Sequence, residues 1–218
     1  MSLRRFLVGS LGMLVSALLL MAAAPVGSPA DFAALTIRPQ GSEAFDLATG
    51  ITTLPEGGTV AYKDEGVTLE GEFIRYREGE FIEIEKASVT GAFGTLSSPA
   101  LRFDVATQLL TASAGAAFEG PALKLEADIV KLTLNDDIAV LKGNVTSQSP
   151  ELASEQVLVD TTGQQALLIG PYAFHNGPVV LRGNAGKTLA LTWDDKGNTS
   201  AETSLPPTVQ ERFAAHLP

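Results

Sequence analysis

The side chains that could act in catalysis or metal binding are few and widely separated. His175 and His216 are the two histidines of the chain, and it has no cysteine. His175 lies beside an Asn-Gly-Pro turn, so a surface histidine is a better interpretation than a general base or metal ligand. The acid pairs Asp136-Asp137 and Asp194-Asp195 lie where hairpin turns favour Asp, Asn or Gly. They lack the spaced oxygen ligands of a calcium loop.

No recognised catalytic motif accompanies these residues in the sequence. The chain has no HExxH motif, nucleophile elbow, Walker loop or dinucleotide fingerprint. We therefore expect a protein that is not an enzyme and that has no cofactor and no metal. Clustered Asp or Glu residues in a polar pocket would favour an enzyme instead.

The charge of the chain excludes nucleic acid as a partner. The formal net charge is −10, and loss of the segment that carries Arg4 and Arg5 would make it −12. Nucleic-acid binding needs clustered basic residues. Without cysteine, the fold has to be held by apolar burial and backbone hydrogen bonds.

The first residues resemble an export signal. Arg4 and Arg5 precede an apolar run over 6–24, and Ser28 and Ala30 fit a small-x-small cleavage site. We predict a signal peptide over 1–30, with a retained membrane anchor as the alternative. Either interpretation places the remainder in the periplasm or cell envelope.

Similar segments recur along the middle of the chain. Each consists of two alternating apolar segments joined by a polar turn, and each ends at or near a glycine. The four units cover residues 68–91, 95–120, 123–145 and 152–170. Repetition of this kind indicates stacked supersecondary units.

The apolar period within these units is that of strands. Leu123, Leu125, Ala127 and Ile129 alternate with charged residues, and from Val130 the apolar residues move to even positions. A change of phase flips the buried face, so we predict a bulge there. The fold class is therefore all-β.

Further strands are predicted on both sides of the repeats. Residues 34–37 and 45–54 form a predicted opening pair, and residues 179–182 and 188–193 a closing pair. After Pro206-Pro207, residues 208–217 form a short helix or a loose tail. We predict one domain over 31–205 and a C-terminal tail over 206–218.

The apolar face of the strands is the candidate binding site. Two interpretations stay open, because both need the same alternation: a lipid-binding trough between two sheets held apart, or a core filled by its own side chains. The residues predicted to point to one side and to contact lipid are Phe73, Ile82, Ile84, Leu101, Phe103, Leu123, Leu125, Ile129, Leu132, Ile138, Val140, Val157, Val159, Leu167 and Ile169.

One repeat resembles a known family. Ala127-Asp128 early in one strand, followed by Gly143-Asn144-Val145 closing the next, is similar to the repeat of the LptA/OstA family of lipopolysaccharide-transport proteins. The resemblance covers about 58–174. It implies an open, folded-over β-jellyroll built from repeated antiparallel strand pairs.

The resemblance also implies a role in outer-membrane biogenesis. Acyl chains of lipopolysaccharide, or of another envelope lipid, would lie in the apolar interior. Partner β-jellyroll proteins, or further copies of the chain, would join by edge-to-edge strand pairing. The acidic charge opposes an anionic lipid, although Lys63, Arg75, Arg77 and Lys86 could supply a basic rim.

Overall fold

The computed structural model describes residues 34–120, 122–194, 196 and 198–217. The predicted signal peptide lies outside these residues. The strands are β1 Leu35–Pro39, β2 Ala44–Asp46, β3 Ile51–Leu54, β4 Gly58–Tyr62, β5 Val67–Gly71, β6 Phe73–Arg77, β7 Phe81–Gly91, β8 Gly94–Asp104, β9 Leu109–Glu119, β10 Lys124–Thr133, β11 Ile138–Gln148, β12 Glu151–Asp160, β13 Gln165–Asn176, β14 Val179–Gly183, β15 Thr188–Trp193 and β16 Thr199–Glu202. They are followed by helix α1, Pro207–Phe213, and a 3-10 turn, Ala214–His216.

All of these strands belong to one antiparallel sheet. From β7 to β13 each strand pairs with the next in sequence, and the sheet stays open, with β1 and β16 at the ends of its main path. The predicted all-β, open, folded-over jellyroll with a short C-terminal helix is confirmed. No helix among the described residues has the length and apolarity of a bilayer-crossing segment.

The long strands bend along one line, which we call the fold line. Their pairing loses register between Ser97 and Ala100, between Ala127 and Ile129, and between Lys142 and Val145. Residues near these breaks adopt left-handed backbone angles, as at Ala114 with φ 66°. The fold line divides the sheet into two layers that face each other.

Layer 1 and layer 2 are defined by these breaks. Layer 1 consists of β1, β4, β5, β14 and the long-strand segments 87–91, 94–97, 116–119, 124–127, 145–148, 151–154 and 172–176. Layer 2 consists of β2, β3, β6, β15, β16 and the segments 81–85, 100–104, 109–113, 129–133, 138–142, 156–160 and 165–169.

Serine hydroxyls donate hydrogen bonds to backbone carbonyl groups near the breaks in the ladder. Ser98 Oγ lies 2.7 Å from Ser113 O and 2.8 Å from Ala100 O. Ser154 Oγ lies 2.9 Å from Gln156 O at the equivalent place on β12. Both serines are buried, so these contacts satisfy polar groups that would otherwise lie unpaired in an apolar interior.

Two predicted strand pairings are wrong. The strand predicted over 34–37 pairs with β4, whereas the predicted segment 45–54 forms β2 and β3, which pair with each other. The strands predicted as a closing pair do not pair together either, since β14 and β15 both pair with β13. The cause is the bend in β13, which places its two segments in different layers.

The end of the chain is packed on the outer face of layer 2. Val209 and Phe213 of α1 contact Ile138, Leu158 and Leu167, so the predicted tail is a docked helix. Pro207 opens the helix, where a missing backbone N–H costs nothing.

An ion pair fixes this helix. Arg212 Nε donates to Asp160 Oδ2 at 2.7 Å, and its Nη2 donates to Asp160 Oδ1 at 3.1 Å. Burial raises the pKa of Asp160, but hydrogen bonds from Arg212, Gln165 and the Thr162 N–H outweigh it, so the pKa lies well below its ordinary value.

Candidate functional site

The candidate site is the apolar interior between the two layers. Nine of the predicted lipid-contacting residues point into it, and each is at most 3% exposed. These nine are Ile82, Ile84, Leu101, Phe103, Leu123, Leu125, Leu132, Val157 and Val159. The layers therefore bring side chains from β7, β8, β10 and β12 together in one apolar cluster.

Six predicted residues lie on the outer side of the sheet, which corrects the expectation that all would share one face. They are Phe73, Ile129, Ile138, Val140, Leu167 and Ile169. Ile129 follows the bulge that was predicted in β10, so it turns outward and is 39% exposed, whereas Val130 is buried. Phe73 is outward because its neighbour Ile74 occupies the interior.

The other four were misplaced because α1 makes the outer face apolar as well. Ile138 and Leu167 pack against the helix, with Val140 and Ile169 partly buried beside them. On these strands both parities are apolar, so alternation does not identify the inner face. The inward residues are their neighbours Ala139, Leu141, Ala166 and Leu168.

Several interior residues were not predicted to contact lipid. They include Leu54, Val60, Leu69, Val89, Leu96, Leu110, Phe118, Leu141, Leu168 and Phe174. Many of them lie in segments already predicted as strands. Assigning the inward-facing positions anew after each break in register would have identified them. Tyr62 and Gln108 are different, because these are polar side chains buried at the edge of the interior.

The two layers are in direct contact in this structure. Leu54, Val60, Ile74, Leu110 and Leu168 are completely buried. The Tyr62 ring of layer 1 lies 6.2 Å from the Phe103 ring of layer 2, measured between centroids. The interior is thus occupied by its own side chains, so the described residues match the filled core and not a trough held open between two sheets.

A hollow of about 830 Å³ lies at the rim of layer 1, beside the turn between β9 and β10. It is lined by Phe118, Leu123 and Leu125 and also by Lys124 and Gln148. Apolar interior residues and polar outer residues therefore meet at this rim.

The basic residues expected to form a rim are largely paired with acids. Arg75 and Arg102 both bind Glu83, Arg77 binds Glu80, and Lys86 binds Glu72. Burial raises the pKa of Glu83, but hydrogen bonds from Arg75 and Arg102 outweigh it and hold the pKa below its ordinary value. These arginines form a cross-strand ladder with Glu83 and leave little net positive charge for an anion.

The candidate catalytic residues serve turns and contacts between strands. Asp194 Oδ1 accepts hydrogen bonds from the N–H groups of Lys196 and Asn198, each at 2.9 Å, as expected for a turn residue. His175 Nδ1 lies 3.1 Å from Glu151 Oε2, and His216 Nε2 lies 3.2 Å from Asp136 Oδ2. Within the described ranges, no three His, Asp or Glu residues are grouped to hold a metal ion.

No protein-family model matches the chain, and no curated protein matches it. Among solved structures, the matches include LptH from Pseudomonas aeruginosa, described as the LptA-homologous periplasmic component of the lipopolysaccharide transport device. The identity is 12%, the match covers 81% of this chain and 99% of that chain, and the TM-score is 0.27.

Proposed function

We propose that this chain is a non-catalytic lipid-binding protein of the cell envelope, which holds acyl chains between its two layers and helps to transport them between membranes. One observation carries the proposal. The layers meet through apolar side chains, whereas the ladder hydrogen bonds run along the sheet. An acyl chain can therefore replace contacts between the layers without breaking the ladder.

Apolar burial is strong enough for this role. Each buried methylene contributes about 0.8 kcal/mol, so ten of them contribute roughly 8 kcal/mol before the cost of ordering the chain. Part of this gain is offset because side chains that now touch across the interior must separate.

The proposed cargo is lipopolysaccharide or a related amphiphile. The Ala127-Asp128 and Gly143-Asn144-Val145 resemblance supports this class of lipid. The excess of acidic residues and the paired arginines argue that contacts with an anionic headgroup are weak. We therefore assign most of the affinity to the acyl chains.

Open sheet edges support partners that are themselves β proteins. Edge strand β2 and the turn after it expose Phe45 and Leu47, and edge strand β14 exposes Val179 and Val180. Unpaired backbone groups beside exposed apolar side chains favour the addition of a strand. Another β-jellyroll protein or a second copy of this chain would fit these edges. Export by the predicted signal peptide would place the assembly in the periplasm.

The second candidate function is a structural or interaction module with a permanently filled core. The complete burial of residues such as Val60 and Leu110 favours it. It predicts that no lipid copurifies with the protein and that no amphiphile raises its melting temperature.

The test is lipid extraction and native mass spectrometry of protein purified gently from an envelope. It is followed by titration with cis-parinaric acid, a fatty acid that fluoresces in apolar surroundings. Ala116 of β9 points inward, whereas Ala185, in the turn between β14 and β15, is exposed, so they offer a matched pair. Ala116→Leu should reduce lipid occupancy, and Ala185→Leu should leave it unchanged. If folded wild-type protein carries no lipid and does not bind the probe, the proposal is wrong.

A further inference from the structure

The layers meet at a second line, opposite the fold line, which we call the seam. Turns 63–66 and 91–94 of layer 1 face turns 105–108 and 134–137 of layer 2 across it. A cavity of about 40 Å³ lies between them, lined by Val67 and Phe93 on one side and by Leu132 and Leu134 on the other. The seam is therefore closed by side chains from both layers.

The turns of layer 2 are bonded to one another along that layer. Leu134 N donates to Gln108 O at 3.1 Å, and Thr161 N donates to Asp137 O at 2.9 Å. Because these backbone bonds run parallel to the seam, the turns of layer 2 can move together when the seam opens.

A buried hydrogen bond between two described residues crosses the seam. Gln108 Nε2 donates to Tyr62 Oη at 2.8 Å, and both residues are buried. Gln108 Oε1 is also buried, but it has no hydrogen-bond partner among the described residues. Closure therefore makes this hydrogen bond and leaves the Gln108 side-chain carbonyl unsatisfied, whereas water would satisfy that carbonyl if the seam opened.

The fold line has the properties of a hinge. Lys86, Ala114 and Asn144 adopt positive φ angles of 49°, 66° and 47°. The strands lose ladder register there, so a change in backbone angle at the fold line disturbs few ladder bonds. Movement at this line would separate the turns at the seam.

We infer that acyl chains enter between the layers through the seam, which opens about the fold line and is latched by Tyr62 and Gln108. The inference rests on the proposed function, because it states how the cargo reaches an interior that is filled in this structure. It also gives a role to the buried polar side chains of Tyr62 and Gln108. An apolar interior alone would not need polar side chains at its edge.

The test uses spin labels attached to introduced cysteines. Because the chain has no cysteine of its own, the labels attach only at the two positions that each variant introduces. Glu65→Cys with Asn135→Cys places exposed labels on opposite sides of the seam. Glu65→Cys with Ala92→Cys places both labels on layer 1 and serves as the control. With cis-parinaric acid, the distance across the seam should lengthen, and the control distance should stay unchanged.

Cross-linking separates the inference from the proposed function. A short bis-maleimide joining positions 65 and 135 should weaken binding of cis-parinaric acid by more than about tenfold, since the binding-competent state is then depleted. The same reagent across positions 65 and 92 should leave binding unchanged. Equal binding by the seam-locked and unlocked protein would overturn entry through the seam and leave the proposed function standing. If the unlocked protein does not bind the probe, both are overturned.

Discussion

Asn144 Nδ2 of β11 donates a hydrogen bond to Asp128 Oδ2 of β10 at 2.9 Å, and both residues lie on the fold line. Both residues belong to the segments that carry the family resemblance. Gly143 and Asn144 have φ angles of 74° and 47°, and a Cβ on Gly143 would lie 2.4 Å from Asp128 Oδ2. The Ala-Asp and Gly-Asn-Val segments thus build the bend that turns one layer over the other.

The first prediction concerns this bend. Gly143→Ala should destabilise the protein by more than Gly79→Ala, which also has a positive φ but open space around its Cβ. Backbone strain costs about 1–2 kcal/mol at either site, and the clash with Asp128 adds to it at Gly143 alone. Urea denaturation of both variants measures the difference. Adding Asp128→Ala should recover part of the loss in Gly143→Ala, and no recovery would show that the contact is unimportant.

The second prediction tests which way β10 faces after its bulge. Val130→Ala should cost about 2 kcal/mol, because it removes two buried methyl groups and leaves a cavity. Ile129→Ala should cost less than about 0.5 kcal/mol, because Ile129 is on the outer surface. Both are measured by urea denaturation. A larger loss of stability for Ile129→Ala than for Val130→Ala would show that Ile129 faces the interior, as the sequence predicted.

Local strand patterns could be predicted from the sequence because their cause is local. Alternation identified the strands, and the change of apolar parity after Ile129 identified the bulge. The face predicted for Ile129 itself was wrong, because a residue at the change of phase fits the alternation on either side of it.

Long-range pairings and the state of the interior could not be predicted in this way. The pairing of β3 with β6 and of β13 with both β14 and β15 depends on the folded-over geometry. Ile138 and Leu167 are buried because helix α1 packs over them, and the apolar alternation along a strand does not show that a helix covers its outer face. Contact between the layers depends on how side-chain volumes fit, which alternation does not specify.

The third prediction concerns acid stability. The pKa of Asp160 is lowered in the folded protein, so its ionised form contributes stability above its ordinary pKa of 3.8. This contribution is lost as the pH falls below that value towards the folded-state pKa. Asp160→Asn should lower stability by about 1–3 kcal/mol at neutral pH and flatten its decline in acid. Urea denaturation across this pH range measures both effects. Asp64→Asn, at an exposed turn position, is the control. An unchanged decline in Asp160→Asn would show that Asp160 does not govern it.

The fourth prediction concerns the edge beside β14. The hydrogen bond with Glu151 raises the pKa of His175, and contact with Gly177 O adds to this. His175 should therefore keep its proton to a higher pH than its ordinary pKa of 6.5. NMR titration can follow it, because the chain has only two histidines. Glu151→Gln should lower the pKa of His175, and Glu155→Gln on the same strand should not. If Glu151→Gln leaves the pKa of His175 unchanged, the contact between His175 and Glu151 is absent in solution.

The last prediction concerns the latch at the seam. Tyr62→Phe removes the acceptor of the Gln108 amide and leaves a second buried polar atom without a partner, at a cost to the closed state of about 1–3 kcal/mol. A shift of about 1.4 kcal/mol raises the open population tenfold. Spin labels at positions 65 and 135 should then show a broader distance distribution without any lipid, and cis-parinaric acid should bind faster.

A second variant distinguishes the latch from general weakening of the core. Gln108→Met keeps the length of the side chain and removes both polar atoms, so combining it with Tyr62→Phe eliminates the unsatisfied groups that the single change creates. The double variant should return to the narrow distance distribution and slow binding of the wild type. If it stays as open as Tyr62→Phe alone, lost packing is the cause, and the hydrogen bond between Gln108 and Tyr62 does not hold the seam.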